Sequence, residues 1–456
     1  MRTGRLIIAV TSLALAAAAP ASAAFTPGTP GVGDPYYPLA GNGGYDVQHY
    51  GLTIDWTQAT NQMRSTAAIT ARATQDLSRF DLDLVGFSIP RLLVNGAPAT
   101  FTRDGQELVI TPAAGIPNGS TFTVTLDYVG QPSVITDPDE AIEGWVPTKD
   151  GAFVVGEPQG SPGWYPANDT PKDKALYDIA VTVKDGLTVM SNGRLVSKTS
   201  SAGKTTWAWH AAEPMAPYLA TASVGKFDLT VTDIGAIKNY VAVDPTLSTG
   251  NVLRKIPEAV AFYTSIYGPY PFDTVGAVVD DAKQVGYALE TQTNPSFDRM
   301  PDELTLVHEL SHQWFGDSVT LTAWNDIWLH EGFATWSEWI WSEYQGQKTA
   351  HKYFMNDYNV PAQQTWFWEP PPGIPGDAAH VFDGTIYDRG GMTLQALREK
   401  IGDTAFFALL RQWLAANRHG SITTPAFIAM AETISGQQLD HFFDVWLYQP
   451  AKPTSW

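Results

Sequence analysis

Two histidines four residues apart enclose a glutamate in His308-Glu309-Leu310-Ser311-His312, the strongest chemical signal in this 456-residue chain. On a helix, residues four apart share one face, so both imidazoles can reach a single ion. Zinc accepts imidazole nitrogen and keeps a position for water when three protein groups bind it. Glu309 stands on the flank of that face, where a carboxylate can take a proton from a water polarised by the ion. Such a pentapeptide also arises by chance in helices whose histidines do no chemistry, so a third ligand is required. Glu331 is the candidate, in Trp328-Leu329-His330-Glu331-Gly332-Phe333-Ala334-Thr335. Eighteen residues separate it from His312, room for a loop and a second helix that packs back on the first. His330 is an alternative donor, but a helix that aims Glu331 at the site aims its neighbour elsewhere.

The elements that must hold these residues fall into two stretches. Residues 45–233 read as an N-terminal antiparallel β-domain. Tyr45 to Tyr50, Phe122 to Leu126 and Ile179 to Val183 are strand-like, and Asn95-Gly96, Asp104-Gly105, Asn118-Gly119, Asp185-Gly186 and Asn192-Gly193 read as turns between strands. Residues 24–44, rich in Gly, Pro and Ala, read as an extended lead-in. Residues 234–456 read as mainly helical. Helical spacing covers Ile256 to Tyr267, Leu304 to Phe315, Gly332 to Tyr344, Met392 to Lys400 and Thr404 to Asn417, with a strand at Thr274 to Val279. The fold class is α+β. Pro361 to Pro375 reads as an ordered surface loop. Trp336, Trp339 and Trp341 read as core.

The spacing His-Glu-x-x-His, eighteen residues, then Glu before Gly-Phe-Ala resembles the aminopeptidase N and leukotriene hydrolase family of zinc peptidases, a branch of the gluzincins. His330 stands where that family has Asn. The metzincin pattern fails, because Phe315 and Ser318 occupy its Gly and His positions. Pro269-Tyr270-Pro271-Phe272 and Trp314-Phe315-Gly316 extend the resemblance, which covers roughly residues 45 to 450. It implies a thermolysin-like catalytic domain after the β-domain and one zinc ion held by His308, His312 and Glu331; many members add a large C-terminal helical domain, which is not expected here because only 125 residues follow Glu331.

Further roles are implied in the same way. Tyr287-Ala288-Leu289-Glu290-Thr291 stands for the family's Gly-Ala-Met-Glu-Asn, which places Ala288 and Glu290 against the substrate. Glu290 would take the substrate's α-amine, which is largely cationic at neutral pH. Tyr287 and Thr291 depart from that motif, which alters backbone contacts and pocket shape. Glu157, twelve residues before Asp169 in Asp169-Thr170-Pro171, would be a second amine-binding acid. Tyr387, in Tyr387-Asp388-Arg389-Gly390, would donate to the developing oxyanion. Glu338, on the same helix face as Glu331, would orient a zinc-binding histidine. The implied activity is an aminopeptidase acting on peptides with a free N-terminus. An endopeptidase of thermolysin type, a leukotriene-type epoxide hydrolase and an inactive binding protein on this fold are the competing readings.

Composition bounds the rest. Apolar residues make up 44% of the chain, which excludes a disordered protein. A formal net charge of -19 repels nucleic acid and anionic membranes, so neither is expected as a partner. Arg2 and Arg5, the apolar Leu6 to Ala19, and Ala21-Ser22-Ala23 read as a signal peptide over residues 1–23, which predicts a secreted protein. With no cysteine, the exported fold has no disulfide and rests on its core and on metal.

Overall fold

The computed structural model describes residues 24–247 and 251–455. The expected signal peptide, residues 1–23, lies outside the described residues. Among the described residues, no helix is long and apolar enough to cross a membrane.

In the N-terminal half, alternation of apolar and polar residues produces strands with one face in the core. Tyr45–Thr57 buries Val47, Tyr50, Leu52, Ile54 and Trp56. The alternation changes phase after Val47, where the ladder with Gln62–Ala73 shifts by one residue. All five expected turns place their glycine in the left-handed region, from Gly105 at φ 60 to Gly186 at φ 91. The eight-stranded sheet is antiparallel in every pairing but one. Ala175–Lys184 runs parallel to Tyr45–Thr57, with Tyr177 opposite Tyr50 and their rings stacked at 4.8 Å. The long chain between these strands, which builds most of the domain, supplies the crossover that parallel pairing needs. A five-stranded sheet contains Ile142–Pro147 and Ala152–Val155, and Glu157 follows directly on the latter.

The second half begins with a sheet rather than a helix. Asp228–Ile234 pairs with Ile237–Val243, which pairs with Thr274–Val279, and Ala288–Leu289 lies at the far edge. The expected boundary at residues 233/234 therefore falls inside Asp228–Ile234. That strand has the same period as those before it, so only its partner reveals which half it joins. The rest of this half is built from α1 (Ile256–Tyr267), α2 (Glu303–Ser311), α3 (Trp328–Tyr344), α4 (Ala350–Tyr358), the single turn α5 (Thr365–Trp368) and α6 (Gly384–Ile401). They are followed by α7 (Asp403–Ala416) and α8 (Thr424–Ser435). Helix α2 starts at the N-cap Asp302, whose side chain accepts from the Thr305 amide. It ends at Ser311, short of the expected Phe315, because the chain turns back and the Phe315 carbonyl accepts from the His312 ring.

Direct hydrogen bonds fix the two halves to each other. The half-buried Lys174 ammonium donates to the carbonyls of Asp317 and Ser318 at 2.7 and 3.0 Å. The turn at Asn192-Gly193 joins the loop after Glu290: Asn192 Nδ2 donates to the Gln292 carbonyl, the Gly193 amide to Thr293 Oγ1, and Asn294 Nδ2 to the Ser191 carbonyl.

Helices α3 and α6 touch backbone to backbone. A Cβ on Gly332 would lie 2.8 Å from the Gly390 carbonyl carbon, and one on Gly390 would lie 2.8 Å from the Gly332 Cα. Only two glycines permit this approach, which sets the N-terminal portions of the two helices side by side. Gly390→Ala is expected to force them apart and lower stability by about 1–3 kcal/mol. Gly384→Ala, at an open position of the same helix, is expected to be neutral or slightly stabilising. Paired urea unfolding curves check the contrast, and equal midpoints would show that the contact can yield.

Candidate metal centre and active site

Helix α2 presents His308 and His312 one turn apart, their ring centroids 4.9 Å from each other. Glu331 sits in the first turn of α3, which starts at Trp328, four residues earlier than the apolar period alone predicts. Its Oε2 lies 3.1 Å from His308 Nε2 and 3.5 Å from His312 Nε2. The far ring nitrogens are already engaged. His308 Nδ1 lies 2.7 Å from Glu338 Oε1, and His312 Nδ1 donates to the Phe315 carbonyl at 2.9 Å. Each imidazole is thereby oriented with Nε2 toward the shared centre, the arrangement metal-binding histidines require. One ligand atom from each of the three residues lies within 4.8 Å of the others. Two imidazole nitrogens and one carboxylate oxygen in a buried site fit zinc. Glu290, Glu309 and His312 form a second such group. It shares His312, whose one remaining nitrogen can serve a single ion, and the set with two imidazoles is the better zinc site.

Electrostatics concentrate on the same spot. Burial opposes charge on His308, yet hydrogen bonds to Glu331 and Glu338 outweigh it and raise the ring's pKa. Burial would also neutralise Glu331, but the positive charge of His312 and the His308 bond hold it well below the usual carboxylate range. Glu309 is pushed up to about 7, by burial first, against the pull of both histidines. A divalent cation among these groups would favour the ionised carboxylates.

His330 faces the other way. Its Nε2 accepts from the Leu321 amide at 3.1 Å, and burial pushes its pKa down to about 3. It is a neutral structural residue outside the centre.

A cavity of about 320 Å³ opens over the centre, lined by His308, Glu309, His312, Glu331, Tyr387, Glu157, Glu290 and Ala288 among others. Tyr387 stands in the first turn of α6, its ring 6.1 Å from that of His308. Helix α6 begins eight residues before the expected Met392, because Asp388, Arg389 and two glycines interrupt its apolar stripe. Glu290 follows Ala288–Leu289 and is 2% exposed. Burial and then repulsion from Glu290 raise the pKa of Glu157 well above normal, and its Oε1 has no hydrogen-bond partner. Two carboxylates from opposite halves of the molecule thus share one end of the cavity, and no Lys or Arg lines it.

Residues without a sequence signal hold this end together. Tyr218 donates to Glu290 Oε1 at 3.2 Å. Gln313, next to His312, donates to the Glu290 carbonyl and accepts from the Thr293 amide, tying the histidine helix to the acid's loop. Neither residue carries a pattern that would mark it. The two motif departures are accounted for. Thr291 Oγ1 donates to the Asn294 carbonyl and closes the turn after Glu290, and Tyr287 lines the cavity while its hydroxyl donates to the Ile142 carbonyl.

Comparison with known proteins bears on both halves. The Peptidase M1 N-terminal domain matches residues 46–219, and the Peptidase family M1 domain matches residues 284–446. Aminopeptidase M1-C of Oryza sativa subsp. japonica is 25% identical over 336 residues, which cover 67% of this chain and 38% of that protein. Tricorn protease-interacting factor F2 of Thermoplasma acidophilum is 24% identical over 409 residues, 83% of this chain and 50% of that protein. The chain thus spans half or less of the length of these curated relatives. The M1 zinc metallopeptidase from Deinococcus radiodurans is similar over 93% of this chain and 98% of its own, at 28% identity and a TM-score of 0.85. A mutant of that protein has been crystallised with a Tyr-Ser-Ala substrate.

Glu338 touches the centre only through His308. Glu338→Ala is expected to weaken zinc binding roughly 10- to 100-fold, measured by competition against a fluorescent chelator. Unchanged affinity would make the 2.7 Å contact incidental.

Proposed function

Because the chain belongs to peptidase family M1, with the N-terminal and catalytic domains of that family both matched, we propose that it is a zinc-dependent aminopeptidase. The observation that carries this reading is the cavity itself: two amine-seeking carboxylates, Glu290 and Glu157, end the same space into which His308, His312 and Glu331 converge. The buried like-charge pair is short of a cation, and the α-ammonium of a peptide supplies one. The backbone of an interior peptide segment carries no such charge, which disfavours the endopeptidase reading. The substrate of the Deinococcus radiodurans protein, a short peptide, agrees with it.

His308, His312 and Glu331 would hold one zinc ion, which when bound supplies Lewis-acid polarisation of a carbonyl and of a water. Glu290 and Glu157 hold the ammonium and so place the first peptide bond at the centre. Ala288 presents the strand edge beside it. Glu309, fixed on helix α2 with its pKa raised by burial, takes the proton of the attacking water and delivers it to the leaving amine. Tyr387 keeps its proton, because burial and then the charge of Glu331 raise its pKa well above normal. Its hydroxyl donates to the oxygen that gains negative charge.

The basic and apolar leader over residues 1–23 supports export, and we place the enzyme outside the cell. The net charge of -19 supports partners that are peptides rather than nucleic acid or anionic membrane.

Leucyl-anilide turnover with and without a zinc chelator tests the metal, and loss with recovery on added zinc is expected. Glu309→Gln should abolish turnover while retaining zinc. Tyr387→Phe should lower kcat by about a hundredfold or more. N-acetylated peptides should be poor substrates of the wild type, and Glu290→Ala should lose the advantage of the free amine. Faster cleavage of blocked peptides would instead identify an endopeptidase.

A further inference from the structure

Next to the metal cavity lies a second concavity of about 290 Å³, formed by Trp366, Phe367, Asp383, Gly384, Thr385 and Asp388. The two spaces share the start of α6. Phe382 and Tyr387 line the metal cavity, while Asp383, Thr385 and Asp388 line its neighbour.

The polar groups of this pocket lack partners. Asp383 occupies the N-cap position of α6, yet its side chain makes no capping hydrogen bond. Thr385 is 5% exposed and its Oγ1 has no hydrogen-bond partner. Asp388 is half-buried, and burial followed by the charges of Asp357 and Glu338 raises its pKa to about 6. The adjacent guanidinium does not relieve it. Arg389 turns into the core and spends its donors on the carbonyls of Trp368, Val445, Trp446 and Gln449. His380 gives its ring nitrogen to Asp377.

The opposite wall is aromatic. Trp366 is 72% exposed, with Phe367 edge-on to it at 5.8 Å. The Arg389 bond to Trp368 and the Lys452 ammonium over the Trp368 ring anchor this turn. An exposed indole therefore shares the pocket with two carboxylates and with the buried, unpartnered Thr385 hydroxyl. An anion would be repelled, and a neutral apolar group would bury the carboxylates without partners. An ammonium or guanidinium on an alkyl stem satisfies all of these features.

We propose that this pocket binds a Lys or Arg side chain of the peptide substrate, at a residue downstream of the cleaved bond. The proposal rests on the aminopeptidase reading for its occupant. Glu290 and Glu157 hold the N-terminus, Tyr387 meets the first carbonyl, and Asp388 is the next residue on the same turn. The remainder of the peptide passes along this edge.

Tetrapeptides with N-terminal leucine and either lysine or norleucine at the second, third or fourth position test it. At one position lysine is expected to lower KM roughly five- to tenfold relative to norleucine, with kcat unchanged. Asp383→Asn combined with Asp388→Asn, and separately Trp366→Ala, should erase that difference. Both variants should leave turnover of leucyl-anilide, which has no downstream residue, at the wild-type level. Equal KM at every position in the wild type, or a lysine preference that survives both variants, overturns the proposal. If neither anilide nor peptide is cleaved, the aminopeptidase reading fails separately. Fluorescence titration of wild type and Trp366→Phe with acetyl-Ala-Ala-Lys-Ala amide then tests the pocket directly, and a missing wild-type response overturns it.

Discussion

Helices α2 and α3 meet at a cluster of ionisable groups that neither could bury alone. His308, His312 and Glu331 have side chains 12%, 1% and 4% exposed. Two imidazoles and a carboxylate in so dry a place cost several kcal/mol unless each satisfies the others or a shared ion. Their outer contacts, Glu338 and the Phe315 carbonyl, leave one nitrogen of each ring free for the centre. The early end of α2, the starts of α3 and α6, and the glycine contact between the latter two all serve this convergence.

The histidines, Glu309 and Glu331 were legible in the sequence because helical geometry ties their spacing to a direction. Alternation likewise revealed the N-terminal strands, and the Asx-Gly pairs marked their turns. Legibility failed where partnership decides the outcome. The period of Asp228–Ile234 says it is a strand, but only its pairing with Ile237–Val243 assigns it to the catalytic half. The same holds for the parallel pair of Tyr45–Thr57 and Ala175–Lys184, since a strand's own residues do not state its neighbour's direction.

Chemistry also hid structure. The first turns of α3 and α6 hold the residues that face the cavity, and polar side chains and glycines there break the apolar period. Helical spacing therefore registers a turn or two late, after Glu331 and Tyr387 have passed. Tyr218 and Gln313 were illegible for a different reason: their roles depend on three-dimensional contact with Glu290, and nothing in their local sequence distinguishes them from other polar residues.

The division of labour across the junction sets an order in which capabilities can be lost. All three candidate metal ligands belong to the C-terminal half, while Glu157 comes from the other half and the loop following Glu290 is bonded to Ser191, Asn192 and Gly193. Loosening that seam would displace Glu157 and Glu290 before it displaced His308, His312 and Glu331, so on the proposed reading recognition of a chain's start would fail before hydrolysis. For an aminopeptidase so built, as proposed, discrimination is the more fragile property and bond cleavage the more robust one.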